Sequence, residues 1–218
     1  MERLFNDNMD IILIGGFSEL FELCEECNYN IIGYVDNRQF IEELSFYPYK
    51  YLGNDDSFPF TKFSEEAGYI ISPDNPLDRE RLAEKLKIYG LKYINLISTK
   101  ANISRSCLFG TGIVIQFGCN VSSLTKIGNF VKINTYANIM HNVQIGDYTT
   151  IAPNAVILGF VNIERKCYIG ANSSILPHIT ICEDVIIGAG TVVTKDITEP
   201  GTYAVSYTHL TLPTIYSV

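Results

Sequence analysis

A bulky apolar residue recurs at every sixth position of the second half of the chain, from Ile97 to Val193. The spacing never slips over 17 such positions, and 14 of them are isoleucine. A six-residue period matches neither the 3.6-residue period of a helix nor the two-residue alternation of a strand. The pattern therefore predicts very short strands joined by tight corners, with the repeated apolar side chain pointing inward.

Two other positions of the repeat are also restricted. The residue four places after each apolar position is small, β-branched or cysteine. Glycine often follows the apolar position directly, and we expect it to supply a backbone conformation that other residues avoid at the corners. These glycines are Gly128, Gly146, Gly170 and Gly188. Three corners make a triangular coil of about 18 residues, so the second half is predicted to be a parallel β-solenoid.

The first half of the chain lacks this period and alternates apolar strands with helices. We predict strands at Asp10–Ile14, Asn30–Val35 and 68–72, and helices at 18–28 and 77–89. Ser18 is expected to cap the first helix and Gly90 to end the second. This order of elements indicates a small doubly wound parallel sheet, whose ligand site lies at the carboxyl ends of its strands.

Charge divides the chain at the same place. Residues 1–96 carry 18 acidic and 9 basic side chains, whereas residues 97–218 carry 6 and 7. A nucleic-acid-binding protein needs a basic surface, and the charge of neither half indicates such a surface. The apolar runs are too short to span a membrane, and the polar N-terminus does not match a secretory signal. We therefore expect a cytoplasmic protein without membrane insertion.

Three segments are expected along the chain. Residues 1–95 form the small α/β domain, residues 96–205 form the solenoid, and residues 206–218 form an atypical tail. The tail reads SYTHLTLPTIYSV, contains no charged residue and loses the six-residue phase, which is typical of a non-native ending. A natural apolar strand that docks on the solenoid is the alternative interpretation.

Four stretches of the repeat, IGNFVK, IGDYTTIAPNAVILG, YIGANSSILPHITI and IIGAGTVVTKDI, carry a family resemblance. They resemble the hexapeptide-repeat acyltransferases, whose fold is a left-handed parallel β-helix, against the usual right-handed rule for connections between parallel strands. With the Rossmann-like first half, the chain resembles the acetyltransferases of bacterial sialic-acid and UDP-4-amino-sugar pathways. The resemblance implies N- or O-acetylation of an amino sugar or nucleotide-linked sugar, with acetyl-CoA as co-substrate, by a homotrimer.

The resemblance also assigns catalytic residues. His141 matches the family's general base, a role that suits an imidazole titrating near neutrality. Asn142 stands where the family has an acidic residue, so it can orient the imidazole but adds no charge to raise its basicity. Gly159 matches the backbone N–H donor that stabilises the oxyanion of the tetrahedral intermediate. From the residues alone, His141 and Gly159 also fit a surface histidine and a corner glycine.

Binding residues follow from the same resemblance. Acetyl-CoA lies in the groove between two prisms in this family, and the matching positions are Thr150, Ala171 and Ala189. The sugar-nucleotide positions lie after the first strands, and they are Gly15, Gly16, Phe17, Asp36, Asn37 and Gly53. The loop after the first strand lacks the later glycines and the histidine of the family pattern, so Gly15 and Gly16 also fit a plain strand-to-helix turn.

No metal is expected at the site. The spacing of His141, His178 and His209 does not match that of a catalytic zinc site built from three histidines. We expect His178 to be exposed. Two further functions fit the residues. One is an acyltransferase with another small acceptor, and the other is a non-catalytic β-helix that serves as a binding module.

Overall fold

The computed structural model describes residues 9–37, 42–63 and 67–204. The atypical tail and His209 lie outside the described residues. Within the described residues, no helix combines the length and the apolar character that a membrane crossing requires.

The first half of the described chain is a doubly wound α/β unit. Its four parallel strands lie in the order β3-β2-β1-β4. The elements are β1 Asp10–Ile14, α1 Ser18–Glu26, β2 Asn30–Val35, β3 Lys50–Gly53, β4 Gly68–Ile71 and α2 Pro76–Leu86, with 3₁₀ turns at Glu42–Phe46, Phe60–Lys62 and Lys87–Tyr89. Helix α1 packs with Ile11 and Leu13 on one side of the sheet, and α2 packs with Ile12 and Ile14 on the other.

The predicted boundaries need small corrections. Strand β3 was missed because Lys50 and Tyr51 are exposed at the edge of the sheet, so the segment carries no buried apolar run. Ser18 does not cap α1, since the N-cap position is Phe17 and no side chain caps that end. Helix α2 begins at Pro76 because the Asn75 side chain accepts hydrogen bonds from the backbone N–H groups of Leu77 and Asp78.

The second half winds into a left-handed parallel β-helix, as expected. Almost every strand is two residues long and ends on a residue of the six-residue repeat. The strands are β5 Leu96–Ile97, β6 Asn102–Ile103, β7 Leu108–Phe109, β8 Val114–Ile115, β9 Asn120–Val121, β10 Lys126–Ile127, β11 Lys132–Ile133, β12 Asn138–Ile139, β13 Gln144–Ile145, β14 Thr150–Ile151, β15 Val156–Ile157, β16 Asn162–Ile163, β17 Tyr168–Ile169, β18 Ser174–Ile175, β19 Thr180–Ile181, β20 Val185–Ile187, β21 Val192–Val193 and β22 Gly201–Tyr203.

These strands form the three faces of a triangular prism. The first face has the order β22-β20-β17-β14-β11-β8-β5, the second β21-β18-β15-β12-β9-β6 and the third β19-β16-β13-β10-β7. We call the corner column between the first and second faces the first edge, that between the second and third faces the second edge, and that between the third and first faces the third edge. The chain therefore returns to the same edge every third corner.

The prism interior is filled by the repeated aliphatic residues and by the small residues four places later. Ile133, Ile151 and Ile169 are fully buried one above the other on the first face, and Ala137 and Ala155 are buried between faces. The sequence interpretation of both positions is confirmed.

The predicted reason for the glycines is wrong. Gly128, Gly146, Gly170 and Gly188 do not have a positive φ, and the left-handed residue of the corner comes two places later, as at Tyr148. These glycines are needed because the coils approach closely. A Cβ on Gly170 would lie 2.5 Å from the carbonyl oxygen of Ile187 on the next coil.

The α/β unit rests on the first face through a buried polar network. Arg79 is 1% exposed, and its guanidinium donates to the carbonyl oxygens of Phe130 and Tyr148 and to Oγ1 of Thr150. Lys132 on β11 is also buried, and its Nζ lies 3.0 Å from Oδ1 of Asp74. Backbone carbonyls and buried cations thus join the two halves at fixed positions.

Candidate functional site

His141 lies on the second edge, between β12 and β13, with its side chain exposed. Its ring Nδ1 is 3.0 Å from Oδ1 of Asn142. If this oxygen accepts a hydrogen bond, Nδ1 carries the proton and Nε2 is left with a free lone pair. A neutral imidazole in this tautomer can accept a proton at Nε2, which is what a general base requires.

Asn142 suits this position for two reasons. Its φ is +61°, a left-handed conformation that asparagine adopts more readily than most residues. Its amide oxygen reaches the imidazole of the residue before it, so the asparagine can fix the tautomer as an acidic residue would. It supplies no negative charge, because the amide is neutral.

Gly159 follows His141 by one coil on the same edge, and the imidazole lies directly over it. A Cβ at this position would lie 2.8 Å from Cε1 and 3.0 Å from Nε2 of His141. The absence of a side chain is therefore what gives the ring its place. Among the described residues, no acceptor is hydrogen-bonded to the Gly159 N–H, a property shared by other residues at this corner position. The structure thus brings a candidate base and a candidate oxyanion donor together.

Two aromatic rings continue the column beyond His141. The Phe160 ring meets the His141 ring at 85°, with the centroids 5.2 Å apart. His178, one coil later and exposed as predicted, stacks on Phe160 at 4.9 Å and 5°. Sequence reasoning missed Phe160, although an exposed aromatic residue directly after Gly159 was a visible signal.

A separate cavity of about 410 Å³ opens at the carboxyl ends of the sheet strands. Gly15, Phe17, Asp36 and Asn37 line it, in agreement with the expected position of a ligand site in such a sheet. Gly16 contacts one of these lining residues, since its N–H donates to Oδ2 of Asp36 at 2.7 Å. Gly53 does not line the cavity, and its carbonyl oxygen accepts from the Asp36 N–H at 3.1 Å.

The far wall of this cavity was not predicted. It comes from the loop after β4 and the start of α2, with Pro73, Asp74, Asn75, Asp78 and Arg81. The segment after β4 contains no glycine or histidine motif of the kind that marks a binding loop, so the sequence did not indicate this wall. This wall carries the acidic side chains of Asp74 and Asp78 and the positively charged side chain of Arg81.

Asp74 is ionised at this wall. Burial alone would raise the pKa of its carboxyl group, but the charge of Lys132 and the hydrogen bonds from Lys132 and Asn134 outweigh burial and lower that pKa. Asp74 therefore brings a fixed negative charge to the cavity and also ties the cavity wall to the first face of the prism.

The three predicted acetyl-CoA positions do not lie with His141 within one chain. Ala171 and Ala189 belong to the first edge, after β17 and β20, and Ala189 is exposed. Thr150 is on the first face and is fully buried. Its hydroxyl accepts from Arg79 and donates to the carbonyl oxygen of Asp74, so in this chain it joins the α/β unit to the prism.

The cavity and His141 also lie on different sides of the chain. The α/β unit with the cavity covers the first face, as the contacts of Asp74 and Lys132 show. The second edge is the edge of a triangular prism that lies opposite its first face. The residues predicted as one site therefore form two separate groups in a single chain.

Among the described residues, no group of three or more histidine, cysteine, aspartate or glutamate side chains is placed to hold a metal ion.

A known family model matches the part of the chain that contains the second edge around His141. The family model described as bacterial transferase hexapeptide (six repeats) matches residues 124–159 and 160–195. Residues 124–195 are the part of the chain that this repeat model matches. This hexapeptide-repeat segment contains His141, Asn142 and Gly159. No curated protein sequence matches the chain.

Several solved structures share the whole architecture. PerB from Caulobacter crescentus, in complex with CoA and GDP-perosamine, is 22% identical with a TM-score of 0.81, covering 89% of this chain and 93% of PerB. The acetyltransferase domain of PglB from Neisseria gonorrhoeae, in complex with acetyl coenzyme A, is 23% identical with a TM-score of 0.80, covering 90% and 96%. WeeI from Acinetobacter baumannii is 26% identical with a TM-score of 0.77, covering 89% and 96%. The hexapeptide-repeat segment and the α/β unit thus occur together in one known fold.

If the chain catalyses the acetyl transfer that the sequence resemblance implies, replacing Gly159 by alanine is expected to lower kcat by about 100-fold, because the new Cβ displaces the imidazole of His141. The melting temperature should stay close to that of the wild type, since His141 is exposed and can move. Ser123→Ala is the matched control, because Ser123 occupies the same position of the second edge two coils before Gly159. Full activity of the Gly159→Ala enzyme would show that catalysis does not need the ring over Gly159.

Proposed function

We propose that this protein transfers the acetyl group of acetyl-CoA to the amine of a nucleotide-linked amino sugar, with His141 as the general base. The observation that carries the proposal is the arrangement on the second edge, where the imidazole, oriented by Asn142, lies over Gly159. The fold supports it, because PerB has this fold and binds CoA and GDP-perosamine, and the acetyltransferase domain of PglB binds acetyl coenzyme A.

The chemistry follows from these residues. The acceptor amine attacks the thioester carbonyl carbon, and Nε2 of His141 takes the proton that the amine loses. The carbonyl oxygen becomes an oxyanion, which the Gly159 N–H stabilises. The C–S bond then breaks, and the imidazolium returns its proton to the departing thiolate. The products are the acetylated sugar and CoA, and His141 is again neutral.

The proposed site takes residues from more than one copy of the chain. The sugar-nucleotide cavity and the acetyl-CoA positions Ala171 and Ala189 belong to the side of the first face and first edge, whereas His141 lies on the second edge. Packing the second edge of one prism against the first edge of the next brings them together. Three copies close such a ring with three equivalent sites, so we propose a homotrimer. The cytoplasmic location also stays a prediction.

The acidity of the cavity favours a second candidate. Asp36, Asp55, Asp74 and Asp78 line it, and Arg81 is the cation of its wall. A diphosphate is repelled by such a surface unless Arg81 and the backbone amides outweigh it. An acyltransferase for a small cationic acceptor without a nucleotide is therefore the alternative.

A survey of acceptors separates the two. Thiol release from acetyl-CoA is measured with nucleotide-linked amino sugars, the same nucleotide sugars with a hydroxyl in place of the amine, free amino sugars and a sialic acid. We expect release with the nucleotide-linked amino sugars, and little with the hydroxyl analogues. Release with free amino sugars alone would favour the alternative, and no acceptor-dependent release would contradict both.

A further inference from the structure

On the second edge, one residue beyond Gly159, the base has a neighbour with no assigned role. Phe160 is 50% exposed and presents its ring at 85° to the imidazole of His141. An edge-to-face contact at 5.2 Å is within the range where aromatic pairs attract. His141 is therefore held from three sides: by Asn142 at Nδ1, by the backbone of Gly159 under the ring and by Phe160 at its side.

Phe160 is itself held by the next coil. His178 lies 18 residues later and stacks on it with the ring planes 5° apart. The two residues have φ values of +63° and +64°, so their side chains leave the edge in the same direction one coil apart. Phe130 and Tyr148 on the third edge stack in the same way, at 3°, which shows that the coil geometry favours such pairs.

From these contacts we propose that Phe160, supported by His178, is a positioning residue that holds the imidazole of His141 over Gly159. The inference rests on the proposed function, because it assigns the held imidazole to the base. Neither ring needs to touch the substrates for this role. Without Phe160 the exposed imidazole keeps only its contacts with Asn142 and with the backbone of Gly159, so it can rotate more freely about its own side-chain bonds.

The kinetic test compares Phe160→Ala with Leu124→Ala in the full chain. Leu124 occupies the same position of the second edge two coils earlier, with φ of +60° and 57% exposure, and it carries no aromatic ring. We expect Phe160→Ala to lower kcat by about three- to tenfold with KM unchanged, as the loss of one aromatic contact predicts. Phe160→Tyr should retain kcat, and Leu124→Ala should match the wild type.

His178 is tested by two variants. His178→Ala removes the stacking partner of Phe160 and is expected to lower kcat in the same direction but less. His178→Phe keeps an aromatic ring and should restore the wild-type kcat. Equal losses in both variants would contradict the stacking role.

A second readout does not depend on turnover. The ring C–H signals of His141 in a ¹H–¹³C NMR spectrum are assigned by their loss in His141→Ala. They should shift in Phe160→Ala, because the ring current of Phe160 is removed, and stay in place in Leu124→Ala. If the wild type transfers no acetyl group, the proposed function fails while this spectrum still decides the positioning role. Unmoved His141 signals in Phe160→Ala, or an unchanged kcat in an active enzyme, would overturn the inference.

Discussion

The His141→Ala enzyme is expected to transfer acetyl groups about 10²- to 10⁴-fold more slowly than the wild type, which is the usual contribution of a positioned base. The reason is that, in the part of the chain that the structure describes, the side chain nearest to Gly159 is the imidazole of His141, which can accept the proton of the attacking amine. The imidazole is exposed and lies outside the prism interior, so the fold should be retained. Initial rates with saturating acetyl-CoA and acceptor measure the effect.

Gln144→Ala is the matched control for this variant. Gln144 is exposed on the same coil, on the third face, and should tolerate alanine without loss of rate. Circular dichroism of both variants checks that the β-helix is intact. A His141→Ala enzyme with at least a third of the wild-type rate would remove His141 from the role of base.

The second large effect is on stability. Arg79→Ala should reduce the free energy of unfolding by about 3–5 kcal/mol, the usual cost of removing one partner from a buried charged network. The guanidinium donates to four backbone carbonyl oxygens and one hydroxyl, those of Phe130, Pro73, Asp74, Tyr148 and Thr150. Burial lowers the pKa of Arg79 to about 10, and Asp74 partly offsets this, so the side chain is still charged at neutral pH.

Denaturant unfolding measures the loss, and Arg81→Ala is the control on the same helix. The Arg81 side chain is 55% exposed and pairs with Asp78 at 3.6 Å, so its removal should cost less than about 1 kcal/mol. Arg79→Lys should recover little of the loss, because an ammonium group cannot reach acceptors arranged for a planar guanidinium. Similar losses for Arg79→Ala and Arg81→Ala would show that the buried network does not join the two halves.

The repeat made most of the prism predictable. An unbroken six-residue period allows one arrangement of inward residues, so Ile133 and Ile151 could be placed in the interior from the sequence. The same arithmetic places Gly159 one coil after His141, and it places Ala171 on another edge. The reason for the glycines could not be predicted, because it depends on contacts between coils, as at Gly170.

The remaining errors arise where local sequence does not carry the information. An arginine among the charged residues of α2 reads as a surface residue, and its burial comes from packing on the prism. The same packing buries Thr150, whose hydroxyl bonds to Arg79 and Asp74 of the α/β unit. Strand β3 is held by its pairing with β2 rather than by an apolar pattern of its own. In the candidate site, the sequence located His141, Asn142 and Gly159, but not the ring of Phe160 beside them.

The central claim is that this chain acetylates an amino sugar carried on a nucleotide, with His141 as base. The measurement that tests it most directly is a mass spectrum of such a sugar after incubation with acetyl-CoA and enzyme. The account predicts a gain of one acetyl group on the sugar with the wild type and none over the same time with His141→Ala. An unmodified sugar with a wild-type enzyme that binds acetyl-CoA, or equal acetylation by both enzymes, would contradict it.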